Sequence, residues 1–151
     1  VIELVKKSGY PGMKILQFAF DSREESDYLP HNYTHNCVVY TGTHDNDTVM
    51  GWYDTLKGAD KKLCDDYLRL KNADGEPIPR EQLPWEFVRA AMSSVADLAI
   101  IPMQDYLGLG SEARINIPST LGINWKWRMG NGDFTKELAG RIRSMTKLYG
   151  R

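Results

Sequence analysis

The run Cys37-Val-Val-Tyr-Thr-Gly-Thr-His-Asp-Asn-Asp-Thr48 decides how the chain is read. Val38, Val39 and Tyr40 favour a strand, Gly42 relaxes the backbone, and the apolar run stops at the adjacent titratable residues His44 and Asp45. A buried strand ending in two titratable groups is how α/β enzymes present chemistry at the carboxyl edge of a sheet. A polar turn would use the same letters, since Asp and Asn are ordinary turn residues, so the local pattern leaves both readings open.

Outward from this segment the same logic finds two more strands. Met13-Lys-Ile-Leu-Gln-Phe-Ala-Phe20 is an apolar run between turn formers and predicts a strand buried on both sides. A polar loop from Asp21 to Asn36 follows it, with Pro30, His31 and Asn32 in its middle. Leu98-Ala-Ile-Ile-Pro-Met103 predicts the third strand, with Pro102 at its end because proline denies one ladder donor. Between the strands, Asp47 is expected to cap a helix holding Met50, Trp52, Tyr53 and Leu56. A second helical stretch, Ala59 to Asn72, spaces Leu63, Tyr67 and Leu70 along one stripe. Asn72 to Pro79 is full of breakers, and Pro84 then opens a helix through Phe87, Val88 and Met92. After a glycine-rich loop from Gly108 to Gly132, the last helix runs from about Thr135 to Leu148, with Leu138, Ile142, Met145 and Tyr149 on one stripe. The first residues, Val1 to Ser8, read as the last turns of a helix stopped by Gly9 and Pro11. With no initiator Met, they lead us to expect a piece of a longer protein. Strands alternating with helices imply a parallel sheet with right-handed crossovers in a single domain, residues 1–151.

Composition narrows the function. Apolar residues make up 42% and charged residues 26% of the 151 residues, the balance of a globular domain. Nineteen basic against twenty acidic residues leave a net charge of −1, which gives no field for nucleic acid or an anionic membrane. No apolar run approaches the ~20 residues of a bilayer span. Cys37 and Cys64 read as buried thiols of a reducing cytoplasm, with no His at ligand spacing to make a metal site. No metal and no cofactor is expected.

Four further constellations bear on chemistry. Asp45-Asn46-Asp47 resembles the opening of a calcium loop, but Thr48-Val-Met-Gly51 lacks the oxygen ligands and glycine placement that such a loop needs. Gly108-Leu-Gly-Ser-Glu-Ala113 fits a loose dinucleotide pattern. It stands five residues too far from the strand, and its acidic partner would fall near Asp133 in a glycine loop. Trp52 and Trp85 read as core residues, whereas Trp125 and Trp127, in the glycine-rich loop, are equally suited to flat apolar sugar faces. Glu112, Arg114 and Arg128 are expected to form paired charges that pin that loop.

Taken in order, several of these segments closely resemble one family, the amylomaltases or 4-alpha-glucanotransferases. The resemblance rests on Pro11-Gly-Met-Lys-Ile-Leu-Gln-Phe-Ala-Phe20, Tyr28-Leu-Pro-His-Asn-Tyr33, Tyr40-Thr-Gly-Thr-His-Asp-Asn-Asp-Thr48 with Gly51-Trp52, Pro102 to Asn116, and Asn124-Trp-Lys-Trp-Arg128. It covers essentially the whole chain.

The resemblance implies a TIM-type (β/α)8 barrel, of which this chain supplies about the last three βα units. It implies transfer of α-1,4-glucan segments by a retaining double displacement, with malto-oligosaccharides as partners. Asp45 matches an aspartate that stabilises the cationic transition state, and His44 its substrate-binding neighbour. Asn116 matches a residue near the acceptor side. Phe20 and Asp21, at the first strand's end, are expected to line the cleft. The family's nucleophile and acid/base belong to strands upstream of residue 1, so the isolated chain is expected to be inactive, and cytoplasmic. A catalytically dead glucan-binding or assembly module is the alternative. Three parallel strands leave two uncovered edges, which predicts self-association of the isolated piece.

Overall fold

A computed structural model describes residues 2–151, so the helical reading of Val1 lies outside the described residues. Strands β1 (Gly12–Ile15), β2 (Cys37–Tyr40) and β3 (Leu98–Ile100) form one sheet in the order β1-β2-β3. Both pairings are parallel, with Met13 beside Val38 and Val38 beside Leu98, then Ile15 beside Tyr40 and Tyr40 beside Ile100. Parallel neighbours need crossover connections. Helices α2 (Val49–Thr55), α3 (Gly58–Leu68) and α4 (Leu83–Met92) make the crossover from β2 to β3. Helix α1 (Ile2–Ser8) precedes the sheet and stops where Gly9 turns left-handed at φ 72°. The short α5 (Met103–Tyr106) and the terminal α6 (Lys136–Leu148) follow β3.

The core lies on the helical side. Leu16, Val49, Phe87, Val88, Leu68 and Cys64 are fully buried, and Phe87 meets the rings of Phe20, Trp52 and Tyr53 at centroid distances of 6.2, 5.9 and 6.3 Å. Trp52 and Trp85 are structural here: Trp85 packs at a tilt against Tyr106 and lies beneath the Arg141 guanidinium of α6. The stripe of α6 is half-buried throughout. Burial pushes both thiols, Cys37 and Cys64, to higher pKa, which keeps them protonated and unreactive.

Four local expectations are corrected. The run Met13 to Phe20 is a strand only to Ile15. Leu16–Ala19 then winds into a 3-10 turn that buries Leu16, Gln17 and Ala19 together, which the alternation of a strand would have divided between its two faces. That strand is also not buried on both sides: Met13 is 56% exposed. Thr48, not Asp47, caps α2: its Oγ1 accepts from the Gly51 amide at 3.1 Å. The second helix ends at Leu68, where Arg69 turns left-handed at φ 57°, so Leu70 reaches the core from beyond the helix.

Candidate active site

All three strands point their carboxyl ends the same way, and the loop Thr41–Thr48 rises from the end of the central one. His44 and Asp45 stand at its crest, with side chains 54% and 50% exposed, and His44 Nε2 lies 3.3 Å from Asp45 Oδ1. Polar groups reach that pair from one segment of the chain. Asn116 Nδ2 donates to Asp45 Oδ1 at 2.6 Å, and the Asn116 amide donates to the His44 carbonyl at 3.1 Å. Arg114 Nη2 donates to the Asp45 carbonyl at 2.7 Å, while its Nε holds the Asn116 carbonyl at 2.9 Å. A carboxylate fixed by donors before it meets a ligand is pre-organised for a cationic or hydroxyl-bearing partner.

The loop is also tied from below. Asn46 Oδ1 accepts from the amide and the hydroxyl of Thr43, which ties the two sides of the crest together. Gln17 Nε2 donates to the Asp47 carbonyl at 2.8 Å, and Ser111 Oγ donates to Asp47 Oδ2 at 2.6 Å. A Cβ at Gly42 would come within 2.5 Å of Gln17 Nε2 and push aside the amide that holds the Asp47 carbonyl.

Trp125 closes one flank. Its ring centroid lies 5.1 Å from that of His44, and its backbone sits at φ 64°, a conformation that is unusual for so bulky a residue. The Trp125 amide donates to the Ile115 carbonyl, and Arg128 Nη1 donates to the carbonyls of Trp125 and Trp127. Arginines 114 and 128 therefore pin this loop through backbone carbonyls, not through the paired charges expected of them. Glu112 accepts from the Gly110 amide. Gly108–Ala113 consequently folds back on itself into a single 3-10 turn, with no helix amino terminus for a pyrophosphate.

His44 and Asp45 lie on the rim of an open hollow of about 820 Å³ whose floor is Met13, Ile15, Tyr40 and Ile100. That volume is in the range of small-molecule sites. Asn116 joins the pair by direct contact. Phe20 and Asp21 lie elsewhere. Phe20 is 3% exposed among Trp52, Tyr67 and Phe87, and together with Asp21 it lines a second hollow of about 720 Å³ shared with Trp52 and Tyr28. The Arg23 guanidinium grips Asp21 and holds its carboxyl well below the usual carboxylate range. Among the described residues, no group of three His, Cys, Asp or Glu is placed to hold a metal ion, and no helix is long and apolar enough to cross a membrane. The ties from Gln17, Ser111 and Arg114 are long-range and have no local sequence signal. Gln17 alone stands out, as a polar letter in an apolar run.

A family profile described as 4-alpha-glucanotransferase matches residues 1–133. The 4-alpha-glucanotransferase of Clostridium butyricum is 49% identical over 99% of this chain, and the chloroplastic/amyloplastic 4-alpha-glucanotransferase of Solanum tuberosum is 47% identical over 100% of it. The chain spans only about 30% and 26% of those relatives' lengths. Among solved structures, the amylomaltase of Streptococcus agalactiae in complex with acarbose superposes on 99% of this chain with a TM-score of 0.88 and 35% identity, the chain covering 29% of it.

Proposed function

The chain belongs to the 4-alpha-glucanotransferase family, and on that basis we infer that the complete protein transfers α-1,4-glucan segments between malto-oligosaccharides by a retaining double displacement. Within it, these residues form about the last three βα units of a (β/α)8 barrel. The open apolar face of the sheet is then the barrel's interior wall, and the hollow beneath His44 and Asp45 is part of the substrate cleft.

One observation carries this reading: the Asp45 carboxylate, held by Asn116 and beside His44, at the carboxyl end of the central parallel strand. Asp45 is the residue that stabilises positive charge as the sugar ring flattens. It is fixed before that charge appears and so undergoes little reorganisation as the charge develops. His44 and Asn116 bind hydroxyls of the same sugar, His44 on the side braced by Trp125. Asp21 and Phe20 line an outer part of the cleft. The nucleophilic and acid/base carboxylates come from elsewhere in the complete protein, so this chain alone does not turn over. The enzyme works in the cytoplasm, without metal or cofactor.

Incubation with maltotriose tests this directly. The complete protein is expected to produce longer and shorter oligosaccharides, and the 151-residue chain none. Disproportionation by the isolated chain would refute the assignment of the missing carboxylates. A complete protein that binds maltotriose and leaves it unchanged would favour the binding-module reading. The isolated chain also leaves the edges of β1 and β3 unpaired, so it is expected to self-associate, and a clean monomer in concentrated light scattering would count against that.

A further inference from the structure

Beneath the crest of the loop lies a carboxylate that takes no part in the chemistry above. Asp105, in α5, is 1% exposed. Its Oδ2 accepts from Thr41 Oγ1 at 2.5 Å and its Oδ1 accepts from the Val49 amide at 2.8 Å. Thr41 is the first residue after β2 and is itself fully buried, while Val49 is the first residue of α2. One buried side chain therefore holds both ends of the loop, and Asp45 lies midway between the two points of attachment. The space between this loop and α5 is a hollow of only about 30 Å³, lined among others by Thr43, His44, Asp47, Asp105 and Arg114, so the crest rests closely on the element below.

Accepting that Asp45 acts on the substrate, as inferred above, we propose that Asp105 is a positioning residue: by clamping Thr41 and Val49 with one carboxylate, it fixes the loop that aims His44 and Asp45 at the sugar. The choice of residue supports this. A carboxylate is costly to bury, and burial, with the neighbouring Asp47, pushes Asp105 up to about 6. A residue needed only to fill space would be apolar here. Only an ionised carboxylate presents two acceptor oxygens at once. An amide in its place offers one acceptor only: with its oxygen on the Val49 amide, its NH2 faces Thr41 Oγ1, which can then only accept and is left with its own buried proton unpaired. Neither donor has another partner among the described side-chain contacts: the Thr41 hydroxyl bonds Asp105, and the first amide of α2 has no acceptor within its own helix.

The test uses the complete protein, with maltotriose as substrate and three variants. Asp105→Asn and Thr41→Val are each expected to lower kcat at least tenfold while KM stays within about threefold, because the groove is kept and the aim is lost. Thr41→Ser keeps the hydroxyl and is expected to recover most of that loss, a rescue that packing alone would not give. Amide exchange over residues 41–49 is expected to quicken at least fivefold in Asp105→Asn and Thr41→Val, with the rest of the protein unchanged. Should Asp105→Asn fail to fold, the Thr41 pair decides. Folded Asp105→Asn and Thr41→Val proteins with kcat within twofold of the parent would overturn the proposal, as would equal losses in Thr41→Ser and Thr41→Val. Absence of transfer in the unaltered complete protein overturns the transferase reading instead, and with it the role given to the clamp.

Discussion

The two faces of the same three-stranded sheet differ sharply. On one, Cys37 and Val39 are almost wholly buried against Tyr33, Ala91 and Ala96, and the helices α2 to α4 close a dry core around Phe87 beside it. On the other, Met13, Leu98 and Ile100 are 56%, 57% and 48% exposed, though they are as apolar as their counterparts. Strands that are apolar on both faces belong between two layers, and here only one layer is present. The uncovered face is also the one below His44 and Asp45. Local stability and the site thus draw on opposite sides of one sheet.

Substitutions on the two faces should therefore diverge. Phe87→Ala removes a fully buried ring from the aromatic cluster and is expected to cost about 3–5 kcal/mol of unfolding free energy in denaturant melts. Leu98→Thr, on the open face, is expected to change the stability of the isolated chain by no more than ~0.5 kcal/mol. In the complete protein it should become strongly destabilising, because in the proposed barrel that face is covered. Equal effects of Leu98→Thr in both contexts would show that the two faces are not distinct in this way. At the site, if Asp45 acts as proposed, Asp45→Asn in the complete protein should lower kcat by roughly 10²–10³, the range seen when one pre-organised polar group is lost, with little change in melting temperature.

Asp105 separates the two regions further, through pH. Its carboxyl is raised, so the folded state holds that proton more tightly than the unfolded state does. The stability it contributes is full below its unfolded value of 3.8 and is lost as the pH rises through about 6. Relative to Asp105→Asn, the parent should lose on the order of 2–3 kcal/mol across that window, as each tenfold difference in proton affinity is worth about 1.4 kcal/mol. Denaturant melts of the two proteins between pH 4 and 7 would show it, and parallel curves would contradict the upward shift of the Asp105 carboxyl. The smallest effect is expected at Thr48→Ala, which removes the cap of α2 and should cost about 1 kcal/mol by thermal unfolding.

Much of this was legible in the letters. Val38-Val-Tyr40 ends in an abrupt polar stop, and the structure turns β2 into its loop at that point. Pro84 opens α4 within one residue, since a proline's missing amide is harmless there, and Thr135 caps α6 with a hydroxyl that accepts from Leu138. The pairing of His44 with Asp45 is a matter of adjacency and needed no fold. Less visible were the partners of that pair. Asn116 lies 71 residues from Asp45 and was expected near it only through the family resemblance, because nothing in its own neighbourhood points there. Asp105, set in Met103-Gln-Asp-Tyr106, looks like an ordinary polar residue in a short helix until Thr41 and Val49 are brought against it.

Periodicity and short-range chemistry were enough to specify three apolar segments, the helices between them and the polar crest after the central strand. Motifs spread over the chain were enough to specify the family. Contacts made in three dimensions decided where strand β1 stops, which hydroxyl caps α2, and which buried carboxylate holds the crest. They also decided which face of the sheet stays open. Those outcomes depend on groups far apart along the chain meeting in space, where burial sets the cost of every unpaired polar atom. No window of neighbouring residues contains that information.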